Sequence, residues 1–157
     1  YIIYGTSGVC QVESIGKLGL SNDDVEYYTL SPVYSKTSTV YTPVNNPKVV
    51  MRNVMSKQEA EELIGEMKEI EPVTVEDEKK REESYKTAIR SCDSKLWVSV
   101  IRTSYQRIME RKQNGKKVIG SDEKYLRQAE EYLYGELAIA LDIDKDDVPK
   151  YIESKMN

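Results

Sequence analysis

The hydrophobic pattern of this chain changes period once, near Ser56, and that change divides what its two parts can fold into. Upstream, the apolar residues fall in runs too short for helices: Tyr1 to Tyr4, Val9 to Ile15, Val25 to Leu30, Thr37 to Thr42 and Lys48 to Met51. Gly5-Thr6-Ser7-Gly8, Ser21-Asn22-Asp23-Asp24 and Pro43-Val44-Asn45-Asn46-Pro47 separate them. Runs rich in Val, Ile, Thr and Tyr, bounded by Gly, Pro, Asn and Asp, predict a small barrel-like antiparallel sheet. A sheet of this length buries only about 60% of its unfolded surface, so docking against a neighbour would help it.

Downstream the apolar spacing becomes helical. Ser56-Lys57-Gln58-Glu59 is a capping box, and Leu63, Met67 and Ile70 give the first helix an apolar edge up to Pro72. Thr74-Val75-Glu76-Asp77 opens a second helix, with Tyr85, Ala88 and Ile89 as its buried positions, running to about Ser91. Asp93 is the expected N-cap of a third, whose apolar residues Trp97, Val100, Ile101, Ile108 and Met109 recur until Asn114-Gly115 stops it. A fourth begins at Ser121 and buries Tyr125, Ala129, Tyr132, Leu133, Leu137 and Ala140. A fifth runs from about Asp146 to Lys155. The expected fold class is therefore α+β, a β module over residues 1–54 followed by a compact helical module of about five helices over residues 55–157.

Several chemistries are excluded by what the chain lacks. It has no histidine and only Cys10 and Cys92, so the Cys/His sets of structural zinc and Ser-His or Cys-His nucleophilic catalysis are unavailable. No pair of carboxylates stands out for acid–base work, so no enzyme, cofactor or metal is expected. Asp142, Asp144, Asp146 and Glu153 match four places of an EF-hand loop, but Asp147 stands where the sharp turn needs Gly, and Pro149 follows. Those carboxylates suit a helix N-terminus instead. No run approaches the roughly 20 apolar residues of a membrane span, and the start has no signal-peptide pattern, so the cytoplasm is the expected location. With a first residue other than Met, the natural chain is expected to begin a few residues earlier.

Charge is unevenly spread beneath a net value of -4. Residues 59–78 carry 1 basic and 9 acidic side chains, and residues 79–127 carry 14 and 6. A basic stretch inside an acidic chain points to a polyanion partner, or to no more than a solvated face. Trp97 lies on the apolar stripe and is expected to pack in the core. Tyr105 sits among Arg102, Gln106, Arg107, Arg111 and Lys112, with Lys116 and Lys117 in the loop beyond. An aromatic in that setting either lies along a surface or meets bases while the cations hold phosphates.

Four segments, in order, carry a likeness to a known family: Ile3-Tyr4-Gly5 with Gly8-Val9; Thr39-Val40-Tyr41-Thr42-Pro43 leading to Asn46; Val100-Ile101-Arg102-Thr103-Ser104-Tyr105; and Leu133-Tyr134-Gly135-Glu136-Leu137-Ala138. Together they resemble the CarD/CdnL-type bacterial transcription regulators, whose first module is shared with transcription-repair coupling factor. The resemblance implies a Tudor-like β module that adds an edge strand, here Thr39, Val40, Tyr41, Thr42 and Pro43, to the RNA polymerase β subunit. It also implies a helical module at the upstream edge of the promoter bubble, contacting minor groove and phosphates with little sequence preference and stabilising the open complex. Tyr105 then stands where the family commonly has a Trp wedge, with Arg102, Gln106, Arg107, Arg111, Lys112, Lys116 and Lys117 as its DNA-binding neighbours. Tyr41 replaces a basic residue common in the family's edge strand, and the Asn114 to Lys117 loop is longer than usual. The rival reading is a protein-binding adaptor whose basic helices only face solvent.

Overall fold

The computed structural model describes residues 1–5, 7–19, 24–35, 39–73 and 77–156. The expected turn at Ser21-Asn22-Asp23, the start of the Thr37 strand and the Thr74-Val75-Glu76 helix start lie outside them, as does Thr6. Five strands, β1 (Ile2–Tyr4), β2 (Gly8–Lys17), β3 (Glu26–Pro32), β4 (Val40–Pro43) and β5 (Met51–Asn53), form one antiparallel sheet in the order β4-β3-β2-β1-β5. Helices α1 (Lys57–Glu66), α2 (Glu78–Arg90), α3 (Ser94–Gln113), α4 (Gly120–Leu141) and α5 (Val148–Met156) follow, so the fold is the α+β arrangement of a Tudor-like sheet and then helices.

The last strand differs from expectation. Residues 48–50 are not strand; Asn46 Oδ1 accepts the Lys48 N–H at 3.0 Å, an Asx-type turn that delays the strand until Met51. Arg52 then lies opposite Ile3.

Alternation along the strands gives the sheet two apolar faces. On one, Tyr4, Cys10 and Leu30 are buried, with Val40 of one edge strand and Met51 of the other packed against them, so the sheet curls around this small core. A register shift between Val12 and Ser14 of β2 assists the bend. On the opposite face, Ile3 and Val9 join the main core, with Leu63, Ile64, Tyr85, Trp97, Val100, Leu133 and Leu137 of the helices.

The helix boundaries follow local chemistry. Ser56 and Glu59 form the capping box, Asp77 caps α2 and Asp93 caps α3. At the end of α3, Gly115 has φ 66°, its N–H donates to Lys112 O, and the Lys116 N–H donates to Arg111 O at 2.8 Å. This is a Schellman closure, and it requires the left-handed residue that Gly supplies. Met109, expected in the core, is 37% exposed; the C-terminal half of α3 is covered on one side only, and Tyr105 and Met109 share its open side. Tyr132 and Ala140 are half-buried rather than buried.

Candidate functional site

The two edges of the sheet differ. The β5 edge is met by the turn between α2 and α3: Cys92 Sγ contacts Val50 O at 3.4 Å, and Arg52 Nε donates to Cys92 O at 2.6 Å. Among the described residues, β4 pairs with β3 alone. The Val44 N–H donates to Glu26 O at 3.0 Å, which sets the phase of the ladder: the backbone groups of Thr42 and Val40 also turn toward β3. Tyr41 between them turns its N–H and C=O outward, and Pro43 offers an outward carbonyl without a donor. Among the described residues nothing takes the Tyr41 groups.

The side chains divide by the same alternation. Tyr41 is 56% exposed, whereas Thr42 is buried and accepts a hydrogen bond from Asn46 Nδ2 at 3.1 Å. Thr39 is exposed, and Val40 packs toward Leu30. An incoming strand would therefore meet the backbone and ring of Tyr41, with Thr39 and Pro43 beside it, while Thr42 and Val40 hold the strand in place from beneath.

On α3 and in the loop after it, the structure sorts the eight predicted DNA-contacting residues into two groups. Tyr105 is 55% exposed, and Gln106, Lys112, Lys116 and Lys117 are exposed with it. The three arginines have internal partners. Arg102 Nη1 donates to the carbonyls of Met67, Lys68 and Ile70, closing the turn that follows α1. Arg107 Nε donates to both carboxylate oxygens of Asp122, at 3.2 and 3.1 Å; Asp122 is 1% exposed and also accepts the Tyr85 hydroxyl at 2.9 Å. Arg111 Nε donates to Lys117 O at 2.6 Å, pinning the loop that carries Lys116 and Lys117. Helical spacing places a cation but does not reveal that a carbonyl or carboxylate already holds it.

Trp97 is fully buried, as expected. Its Nε1–H donates to Ile89 O at 3.2 Å, Tyr132 meets it edge-on at 5.7 Å, and the Arg52 guanidinium lies 5.6 Å from its ring centre. Arg52 continues to Glu136, fully buried on α4, through a two-pronged ion pair at 2.5 and 2.6 Å. Glu136 also accepts the Met55 N–H at 2.8 Å. Burial pulls the Arg52 pKa down, but the hydrogen bond and charge of Glu136 outweigh it and raise its pKa.

The joint between sheet and helices was not read from the sequence, although its residues were in view. A Cβ on Gly135 would stand 2.8 Å from the Tyr34 ring, whose hydroxyl donates to Gly135 O at 3.1 Å. Gly8, at φ 71°, lies 3.0 Å from Tyr132 by the same measure. Gly8 and Val9 thus meet α4 at Tyr132 and Gly135 in this joint. An acid between Gly and Leu on an apolar helix stripe was the available signal.

No group of acidic or sulfur-bearing side chains able to hold a metal occurs among the described residues, so the Asp142 to Glu153 spacing does not converge there. Among the described residues, no helix is long and apolar enough to cross a membrane. A search of curated proteins returns no match. Residues 1–55 match the CarD-like/TRCF RID domain, and this match supports an RNA polymerase-interaction domain in the N-terminal part of the chain.

Proposed function

We propose that the chain is a transcription regulator that pairs β4 with a strand of the RNA polymerase β subunit and lays the open face of α3 against promoter DNA at the upstream edge of the bubble. The observation that carries this reading is the bare β4 edge within the polymerase-interaction domain, with the other edge met by the turn between α2 and α3. Residues 1–54 then hold polymerase through Thr39 to Pro43, and residues 55–157 supply the DNA contact. Tyr105 is the wedge, and Lys112, Lys116 and Lys117 meet phosphates. A contact made only with melted DNA shifts the population toward the open complex.

The internal bonding of Arg102, Arg107 and Arg111 is the observation that favours the adaptor reading, since Arg107 is paired with a carboxylate and the other two are tied to backbone carbonyls of the chain itself. One experiment separates the two. Pull-down of polymerase by the full chain is expected to fall about tenfold or more for Tyr41→Pro, which deletes the outward N–H and leaves the β3 ladder intact. Open-complex lifetime is expected to shorten for Tyr105→Ala, with pull-down unchanged. Undiminished capture by a folded Tyr41→Pro variant counts against strand addition; capture without any effect on open complexes leaves the adaptor.

A further inference from the structure

Between the turn after α1 and helices α3, α4 and α5 lies a cavity of about 340 Å³. Its apolar wall comes from four elements: Met67 of the turn, Val98 and Ile101 of α3, Leu133 of α4, and Ile152 and Met156 of α5. That volume is at the lower end of the range for small-molecule sites, which are mostly apolar with a few converging polar groups. The two methionines give a lining that can adapt to an occupant.

The polar lining residues are Lys68, Arg102 and Tyr134, and among the described residues no carboxylate lines the cavity. Lys68 is exposed and spends one of its three N–H donors on Met156 O, at 2.9 Å. Arg102 uses only Nη1 on the turn carbonyls, leaving Nε and Nη2. Burial pushes the Tyr134 hydroxyl up to about 12, with Glu130 one turn earlier adding to the shift, so it remains a protonated donor near neutral pH. Donors and cations stand beside an apolar hollow without a facing acid. That combination complements an apolar tail ended by an anion.

We propose that this cavity binds a small amphipathic carboxylate, a medium-chain fatty acid in chemical class, with its tail among Met67, Ile101, Leu133 and Ile152 and its head toward Lys68, Arg102 and the Tyr134 hydroxyl. The site is independent of the β4 edge and of Tyr105, so its test does not depend on the polymerase or DNA roles.

The full chain is titrated with sodium decanoate and followed by methyl and tyrosine NMR, with decanol and decyltrimethylammonium as matched probes. Decanoate is expected to saturate one site that perturbs Ile101, Ile152 and Tyr134. Decanol should bind about tenfold more weakly for want of the charge-assisted hydrogen bonds, and the cation more weakly still. Lys68→Glu should weaken decanoate and not decanol. Ile152→Trp, at a half-exposed position, should fill the mouth and block both, with a thermal melt confirming that each variant is folded. Equal binding of all three probes, perturbations away from α5, absence of saturation, or undiminished binding by folded Ile152→Trp would each overturn the proposal.

Discussion

Trp97 and Tyr105 lie two turns apart on one helix and have opposite surroundings. Trp97 has no exposed surface and touches α2, α4 and β5, so Trp97→Ala should open a cavity and cost about 3 to 5 kcal/mol in a denaturant titration. Tyr105→Ala removes a ring that is mostly in solvent and should change the same titration by less than about 0.5 kcal/mol. If the two costs prove equal, the burial of α3 is wrong. The thiols give a second residue-scale outcome. Burial raises both Cys10 and Cys92 to about 11, so neither should react with a thiol reagent near neutral pH unless the chain unfolds. Because folded values lie above unfolded ones for these thiols and for Tyr85 and Tyr134, the native state holds more protons at alkaline pH. Their contribution is fully present below about pH 8 and is lost as pH rises through about 11 to 12. Denaturation midpoints measured across that window should fall, and a flat profile would contradict the burial of these groups.

At the scale of elements, α3 shows how charge on a helix can be misread. Six cations at 102, 107, 111, 112, 116 and 117 would together give a salt slope near about -5 in DNA binding, at roughly 0.9 per phosphate neutralised. With the three arginines engaged, Lys112, Lys116 and Lys117 leave a slope near about -3. Filter binding across salt concentrations decides between the values. Lys112→Glu should weaken binding to all sequences alike, whereas Arg107→Glu should act on the fold. It sets a second carboxylate against buried Asp122 and should cost about 2 to 4 kcal/mol, less than a fully buried pair because Arg107 is 27% exposed. The capping box at Ser56, the Asp93 cap, the Gly115 stop and the burial of Trp97 were legible because each depends on neighbours within a turn or on a repeating stripe. The partners of Arg102, Arg107 and Glu136 were not, because each lies 15 or more positions away. Likewise, the run of β-branched residues locates β4, but only its neighbours in the sheet reveal which of its N–H groups points outward. Val40 bonds inward, so a proline there would damage the sheet itself, and Tyr41 is the position that tests the edge.

At the scale of the whole molecule, sheet and helices are fastened through one joint. Ile3 and Val9 belong to the helical core, Arg52 is held by Glu136, Cys92 and the Trp97 face, and Tyr34 closes on Gly135. A sheet cut off near residue 54 would expose Ile3 and Val9 and leave Arg52 without its carboxylate, so capture by such a fragment would report its loss of structure as much as its edge. The intact chain offers a cleaner test. Glu136→Gln keeps the shape of the side chain but removes the charge that holds Arg52 and should cost about 2 to 4 kcal/mol of stability, less than a fully buried pair because Arg52 is 30% exposed. The β4 edge lies on the far side of the sheet, three strands from β1, so polymerase capture by the folded fraction should stay within about twofold. A wedge works only if it is held at a fixed distance and angle from the strand that anchors it, and a loosened joint lets α3 move relative to the sheet. Open-complex lifetime should therefore fall in Glu136→Gln nearly as far as in Tyr105→Ala, although position 136 is buried and touches no DNA. If a Glu136→Gln chain with a lowered melting temperature nevertheless holds open complexes as long as the parent, the joint is a matter of stability alone, and the two surfaces act without a fixed geometry between them.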